Sequence, residues 1–120
     1  MYTAPMNVRG IGIDITTVAR FRPLARSPHA QFMLNTFSEK ERVYCLAYKD
    51  PGPHLAGTFA AKEAVQKASG LFKLAPNAIE ILRDKDGKPE VWLGGKRSKK
   101  FLLSITHEKT TACAVALYCL

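Results

Sequence analysis

The sequence is poor in cysteine and in acidic residues, and it contains no long apolar run. Its three cysteines, Cys45, Cys113 and Cys119, are odd in number and lack a CxxC spacing, which argues against a disulfide framework and a zinc site. Cys113 and Cys119 close an apolar stretch and are predicted to be buried thiols. No segment approaches the ~18 apolar residues of a membrane span, and residues 1–10 lack the apolar run of a signal peptide. We therefore expect a soluble, cytoplasmic protein with no membrane partner.

The shortage of acidic residues leaves a basic chain, with 10 acidic against 18 basic residues, a net charge of +8 and a pI near 9.6. This balance predicts an anionic partner: nucleic acid, a phosphorylated small molecule or an acidic protein. The basic residues form two clusters that lack the interleaved aromatic residues of a base-stacking surface. For each cluster, the alternative that it is only a solvated, solubilising face stays open. The clusters are Arg20, Arg22 and Arg26 near the start, and Lys96, Arg97, Lys99 and Lys100 near the end.

Length and periodicity predict the fold. A chain of 120 residues with 47% hydrophobic residues suits one domain over residues 1–120. Ser38 and Glu41 match the capping box S-x-x-E, which starts a helix of about ten residues, and Gly70 suits the C-cap of a long helix over residues 54–69. A further helix is predicted over residues 16–24, and strands over residues 8–15, 78–83, 90–93, 101–106 and 111–118. The order indicates an α+β fold with a mostly antiparallel sheet packed on the long helix.

The long helix is almost wholly apolar, yet it contains Glu63. Ala56, Phe59 and Ala60 share the side of Glu63, and a second apolar stripe leaves little of the helix surface for water. A desolvated carboxylate needs a partner such as a cation or a charged ligand. Two interpretations stay open at this point: a metal-and-phosphate site, or a solvated pair between Glu63 and Lys67, which lies four residues later and can meet it directly.

Two further segments offer polar groups at predicted strand ends. Asp14 ends the first strand, and Ser104, Thr106 and His107 end a later one. Two carboxylates from rigid elements suit Mg²⁺, which keeps several waters and takes further oxygens from substrate phosphates. Asp14 and Glu63 would form such a pair. Singly, Asp14 could instead be a turn or helix-capping residue, and His107 could be hydrogen-bonded at a hairpin.

Together these segments resemble a known family. G-I-G-I-D-I at residues 10–15, F-A-A-K-E-A at residues 59–64 followed by Lys67, and S-I-T-H at residues 104–107 occur in the order and approximate spacing of the 4′-phosphopantetheinyl transferases. The chain looks like their small bacterial type, the holo-acyl-carrier-protein synthase type. Supporting matches are F-S-x-x-E at residues 37–41 and G-K-P at residues 87–89, and the resemblance spans residues 8–117.

The resemblance implies an activity and the residues that perform it. In this family a serine hydroxyl of an apo acyl carrier protein attacks the β-phosphorus of coenzyme A, which transfers 4′-phosphopantetheine and releases 3′,5′-ADP for fatty-acid biosynthesis. By resemblance Asp14 and Glu63 are catalytic ligands of Mg²⁺, Glu63 also helps to deprotonate the serine, and Lys67 is a catalytic residue that neutralises phosphate charge.

The resemblance also implies the binding residues and the assembly. Ser104, Thr106 and His107 would lie along the nucleotide end of coenzyme A, and Gly87, Lys88 and Pro89 would line its adenine side, with Lys88 near the 3′-phosphate. Arg20, assisted by Arg22 and Arg26, would dock the acidic carrier protein, and salt should weaken that steering. Small members of the family form homotrimers with active sites between subunits, so a homotrimer is expected.

The sequence differs from the family pattern at three places. Thr17 replaces a common carboxylate, Thr58 replaces a common arginine that could contact a phosphate, and residues 69–73 lack the usual G-T-G. The helix residues Lys62 and Gln66 receive no role. The alternatives are an inactive family member, which Thr17 and Thr58 favour, or a non-catalytic basic domain that binds nucleic acid or an acidic protein. The absence of exposed stacking aromatics argues against a nucleic-acid partner.

Overall fold

The computed structural model describes residues 7–120; part of the segment in which no signal peptide is expected, residues 1–6, lies outside them. Within residues 7–120 no helix has the length and apolar character needed to cross a membrane. Residues 7–120 form four α-helices and six strands in the order β1, α1–α4, β2–β6. They are β1 (Val8–Thr17), α1 (Phe21–Ala25), α2 (Gln31–Thr36), α3 (Glu39–Leu46), α4 (Gly52–Ser69), β2 (Ile79–Arg83), β3 (Pro89–Leu93), β4 (Lys96–Ser98), β5 (Phe101–His107) and β6 (Thr111–Cys119).

The strands form two antiparallel sheets of three strands each, in the orders β1-β6-β5 and β2-β3-β4. The long helix α4 packs on the first sheet along β1, β6 and β5. This architecture confirms the predicted α+β class with antiparallel strands against a long helix. The strands expected to form one sheet are instead divided between two.

Glycine and alanine bring α4 unusually close to the first sheet. A Cβ atom on Gly10 would lie 1.9 Å from the Ala68 carbonyl oxygen, and one on Gly12 would lie 2.0 Å from the Ala64 carbonyl oxygen. Both distances are far shorter than any non-bonded contact tolerates, so only glycine fits at these two strand positions. Because strand side chains alternate in direction, Asp14 follows Gly10 and Gly12 on the face that meets α4.

Two elements differ from the sequence-based expectations near the start of the chain. The helix predicted over residues 16–24 is wrong in its first half, because Thr16 and Thr17 extend β1 by pairing with Ala112 and Thr111 of β6. A 3₁₀ turn over Val18–Arg20 then leads into α1. The short elements α2 and β4 were not predicted, since neither six nor three residues show a readable period.

Two predicted helix ends are confirmed, the start of α3 and the end of α4, whereas α4 begins at Gly52 and not at the predicted residue 54. The Ser38 side chain accepts from the Glu41 backbone N–H at 3.3 Å, and the Ser38 backbone N–H donates to Glu41 Oε1 at 2.8 Å, which completes the capping box. Gly70 ends α4 in the left-handed region with φ of 77°. Of the thiols, Cys119 is buried as predicted, whereas Cys113 is only half-buried.

The charged side chain buried in α4 is Lys62, not Glu63. Lys62 Nζ lies 2.7 Å from Glu41 Oε1, and both side chains are almost wholly inaccessible. Lys62 also donates to the carbonyl oxygens of Pro76 and Ile79, while Glu41 Oε2 accepts from the Ile81 backbone N–H at 2.7 Å. Every buried polar atom of the pair has a partner, so the pair joins α3, α4 and β2 without an uncompensated charge.

Candidate active site

Asp14 and Glu63 line one surface cavity of about 380 Å³ between β1 and α4. The strand alternation that turns Gly10 and Gly12 toward α4 turns Asp14 the same way, and Glu63 lies one residue before Ala64, which touches Gly12. Both carboxylates are half-buried. The two side chains predicted to share a metal therefore open into the same space.

Lys67 pairs with Asp14 and not with Glu63. Its Nζ lies 3.4 Å from Asp14 Oδ1 and donates to the Ile13 carbonyl oxygen at 3.0 Å, so the solvated Glu63–Lys67 pair, one of the two interpretations left open by the sequence, is not found in residues 7–120. The hydroxyl of Thr16 donates to Asp14 Oδ2 at 2.9 Å. Asp14 is thus held through both oxygens, while Glu63 has no ion-pair partner within residues 7–120.

The donor set at this cavity fits a hard divalent cation. Residues 7–120 contain no group of three histidine, cysteine, aspartate or glutamate side chains able to hold a metal. Such a group suits zinc, whereas Mg²⁺ is commonly bound by one or two carboxylates together with waters and substrate phosphates. Asp14 and Glu63 provide two carboxylates beside open space, and Thr17, which lines the same cavity, provides no third.

Arg20 borders the same cavity and is held by aromatic rings. Its guanidinium carbon lies 5.0 Å from the ring centre of Phe59 and 5.3 Å from those of Phe21 and Phe32, which is within cation–π range. Arg20 is exposed and has no carboxylate partner within the described part of the chain. The arrangement presents a positive charge next to two carboxylates at the surface.

The other two arginines of the first cluster differ from Arg20. Arg22 forms an ion pair with Asp50 at 3.1 Å and donates to the Lys109 carbonyl oxygen at 3.0 Å, so its guanidinium is occupied within the chain. This pairing lowers the pKa of the Asp50 carboxyl below its ordinary value. Arg26 is exposed at the end of α1.

A second cavity, of about 210 Å³, brings together three of the residues predicted to bind the nucleotide. Gly87, Pro89 and His107 line it, and Tyr44, His54, Arg83 and Ile105 complete its wall. Lys88 faces a neighbouring cavity with Arg97 and Lys99 instead. Ser104 and Thr106 are exposed on the opposite face of the sheet, and Thr106 shares a third cavity, of about 410 Å³, with His107. The S-I-T-H segment is therefore divided between two faces.

Sequence reasoning missed His54 and Arg83 in the second cavity. His54 belongs to the first turn of α4 and Arg83 ends β2, and no local pattern links them. Burial, followed by the charges of His107 and Arg83, lowers the pKa of His54 below its ordinary value. The signal available in the sequence was only the placement of a histidine at the start of the long helix.

Thr58, where an arginine is common in the family, is buried. Its hydroxyl donates to the His54 carbonyl oxygen at 2.8 Å and lies 3.6 Å from the Sγ of Cys45. Burial raises the pKa of the Cys45 thiol to about 11, which keeps it protonated. Position 58 therefore faces the core between α3 and α4, and its side chain lines neither of the two cavities.

The chain is similar to known proteins over most of its length. The chain matches the family model of the 4′-phosphopantetheinyl transferase superfamily over residues 10–116. It is 41% identical over 111 residues to a holo-[acyl-carrier-protein] synthase of Chlorobaculum parvum, covering 89% of this chain and 95% of that protein. A synthase of the same name from Thermodesulfovibrio yellowstonii is 40% identical over 108 residues, covering 89% of this chain and 95% of the relative.

A solved structure shows the same fold. The holo-(acyl-carrier-protein) synthase of Bacillus anthracis str. Ames, in complex with CoA (3′,5′-ADP), superposes with a TM-score of 0.77 at 32% identity, covering 96% of this chain and 98% of that one. The chain belongs to the 4′-phosphopantetheinyl transferase superfamily. The resemblance found in the sequence is confirmed, and its relatives named above are transferases that carry the name holo-[acyl-carrier-protein] synthase.

Proposed function

We propose that this protein transfers 4′-phosphopantetheine from coenzyme A to a serine of an apo acyl carrier protein in a Mg²⁺-dependent reaction that releases 3′,5′-ADP. The observation that carries the proposal is the convergence of Asp14 and Glu63 on one cavity, with Lys67 contacting Asp14. We further propose that the reaction serves fatty-acid biosynthesis. Membership of the family and the similarity to holo-[acyl-carrier-protein] synthases support both statements.

The side chains at the first cavity have separable tasks in this reaction. Asp14 and Glu63 would hold Mg²⁺, which supplies charge neutralisation at the pyrophosphate of coenzyme A. Lys67 is half-exposed at 48% and can leave Asp14 for a phosphate oxygen at little cost. Glu63, which has no cation of its own within the described residues, is the carboxylate available to accept the proton of the attacking serine hydroxyl.

The second cavity suits the nucleotide end of coenzyme A. Arg83 and His107 provide positive or neutral donors, and Gly87 and Pro89 provide a wall without charge. Lys88 lies beside this cavity, where its flexible side chain can reach a 3′-phosphate. Thr106 and Ser104 lie on the other sheet face, so their contact with the nucleotide requires a site that extends around the edge of β5.

The acyl carrier protein would dock beside the first cavity. Arg20 presents a guanidinium without a carboxylate partner in residues 7–120, and Arg26 is exposed directly after helix α1. Arg22 is less suited to docking because Asp50 already neutralises it. A basic surface with a net charge of +8 behind it attracts an acidic partner over several ångströms and accelerates encounter.

The sheet face that points away from α4 favours a homotrimer. Ile11, Ile13 and Ile15 of β1 are 67%, 61% and 72% exposed, and their partners across the strand ladder are Leu117, Val115 and Cys113. A contiguous apolar face of this kind marks a protein–protein contact. We propose that copies of this chain cover it and that the active sites lie between subunits, which would place Ser104 and Thr106 at the interface.

One assay tests the reaction. The protein is mixed with Mg²⁺, coenzyme A and an apo acyl carrier protein, and mass spectrometry follows the carrier. We expect a mass gain of one phosphopantetheine, which chelation of the metal abolishes. Asp14→Ala and Glu63→Ala should each abolish transfer while leaving the fold intact, and Glu39→Ala, an exposed carboxylate on α3, should behave as the unaltered protein.

The outcomes separate the alternatives. A folded protein that modifies no apo carrier would refute the proposed activity, and retained binding of coenzyme A in that case would identify an inactive family member. Near-normal transfer by either carboxylate variant would refute the metal site. Light scattering that finds an active monomer would refute the trimer.

A further inference from the structure

His54 and Thr58 lie one turn apart on α4 but have different surroundings. Thr58 is buried one turn further along α4 and lines neither cavity, but the His54 ring lines the second cavity together with Arg83 and His107. The three side chains come from α4, β2 and β5. They form a concentration of groups able to carry positive charge around a space of about 210 Å³.

Aromatic contacts fix the imidazole of His54 in that wall. The ring stacks on Tyr48, with centroids 3.4 Å apart and planes inclined by 12°. His107 meets it edge-on at 4.9 Å, and Tyr44 does so at 6.4 Å. A ring held by these three contacts loses little further freedom when a ligand binds, so its contact with that ligand carries little entropic penalty.

The groups that face His54 are predominantly basic or neutral. They are Tyr44 of α3, Tyr48 and Asp50 in the segment between α3 and α4, Arg83 of β2 and His107 of β5. Asp50 is the single carboxylate among them, and Arg22 neutralises it at 3.1 Å. Among the described residues, the lining of this cavity includes no carboxylate that would oppose the binding of an anion.

We propose that His54 takes up a proton from solvent when a phosphate group of the coenzyme A nucleotide occupies this cavity, so that nucleotide affinity rises as pH falls. This inference rests on the proposed function, because it assigns a further binding residue to the same nucleotide. The imidazolium formed then donates to a phosphate oxygen, the contact that position 58 cannot make in this chain.

The direction of the pH dependence follows from the electrostatics. In the free protein, burial and the charges of His107 and Arg83 hold the pKa of His54 below its ordinary value. A bound phosphate reverses the local charge and raises that pKa. The gain in affinity is complete below the pKa of the free protein and is lost as pH rises through the pKa of the complex.

Calorimetry on the full chain with 3′,5′-ADP tests the proposal. Binding is measured from about pH 5 to pH 8, where histidine titrates, in pairs of buffers that differ in ionisation enthalpy. We expect net proton uptake and an affinity that falls by up to about tenfold per pH unit. His54→Phe keeps a ring against Tyr48 but should lose this proton uptake, and His29→Gln, an exposed histidine elsewhere, should retain it.

The two variants and the transfer assay together distinguish failure of the His54 proposal from failure of the proposed function. The phosphate's own titration is common to all proteins, so only the difference between the unaltered protein and His54→Phe is used. Equal proton uptake in both would overturn the role of His54 and leave the proposed function standing. Absence of both nucleotide binding and carrier modification would overturn the proposed function. His54→Gln, with a strong helix former, repeats the comparison if His54→Phe unfolds.

Discussion

Replacing Lys62 by methionine removes one half of the buried ion pair and shortens the unbranched side chain by only one heavy atom. Lys62 Nζ lies 2.7 Å from Glu41 Oε1, and the two side chains are 1% and 0% exposed. After the change, Glu41 still accepts from the Ser38 and Ile81 backbone N–H groups. It has lost the one cation that pairs with it in the described part of the chain, and its buried side chain cannot be hydrated in exchange.

The expected loss of stability is large. Leaving one partner of a buried ion pair unpaired costs about 3–5 kcal/mol, whereas replacing both partners by uncharged groups costs much less. The Pro76 and Ile79 carbonyl oxygens also lose a donor, which places the expected loss near the upper end of that range. Against a typical total of about 5–15 kcal/mol, this change removes a large share of the stability.

The loss should depend on pH in a defined direction. Burial raises the pKa of the Glu41 carboxyl, and Lys62 is the strongest influence that lowers it. In Lys62→Met the folded-state pKa therefore rises further above the unfolded-state value. The folded variant gains stability by binding a proton below that raised pKa, and this gain is lost as pH rises through it.

Urea unfolding followed by circular dichroism measures both effects at several pH values. Lys62→Met should be least stable near neutral pH and should recover part of its deficit in mild acid. Adding Glu41→Gln removes the unpaired charge and should restore part of the stability at neutral pH, a coupling of about 2 kcal/mol or more. A deficit below about 1 kcal/mol, or one that neither acid nor Glu41→Gln relieves, would refute the assignment of a buried charged pair.

Three other changes test the placement of the site. Gly12→Ala puts a methyl group 2.0 Å from the Ala64 carbonyl oxygen, so α4 must move off β1 and transfer should fall by more than about tenfold; normal activity would contradict this. Arg20→Ala should raise the KM for the carrier protein and flatten its salt dependence, and an unchanged salt response would exclude steering by Arg20. Ile13→Asp should convert the proposed trimer into smaller species in light scattering, and an unchanged mass would contradict the interface.

Local signals predicted the elements that depend on local contacts. The capping box at Ser38 and the left-handed Gly70 each act within a few residues, and both are found where the sequence indicates. The end of β1 depends instead on pairing with β6, which lies about a hundred residues later. No pattern within the first strand could show that Thr16 and Thr17 continue the ladder.

The single domain over residues 1–120 stays a prediction.

Site residues were predictable from the sequence where the chemistry of the side chain restricts the roles it can have. They were less predictable where the interacting residue is distant in the sequence. Asp14 and Glu63 were identified as a pair, and they do share a cavity. The helical spacing left a pair between Lys67 and Glu63 open, but β1 passes close to Lys67 and supplies Asp14 as its partner. His54 was not predicted as a site residue because Arg83 and His107, which line the same cavity, are distant from it in the sequence.

The adjacent residues Lys62 and Glu63 show how α4 can be both anchor and active-site element. Successive residues of a helix point about 100° apart, so one charge can enter the core while the next remains at the surface. Lys62 fixes the helix to α3 and β2 through Glu41, and the bare backbone of Gly12 fixes its other side against β1. Glu63 lies between these two attachments. Its position relative to Asp14 is therefore set by contacts on two sides of α4, which explains why a buried charge occupies the middle of the F-A-A-K-E-A motif.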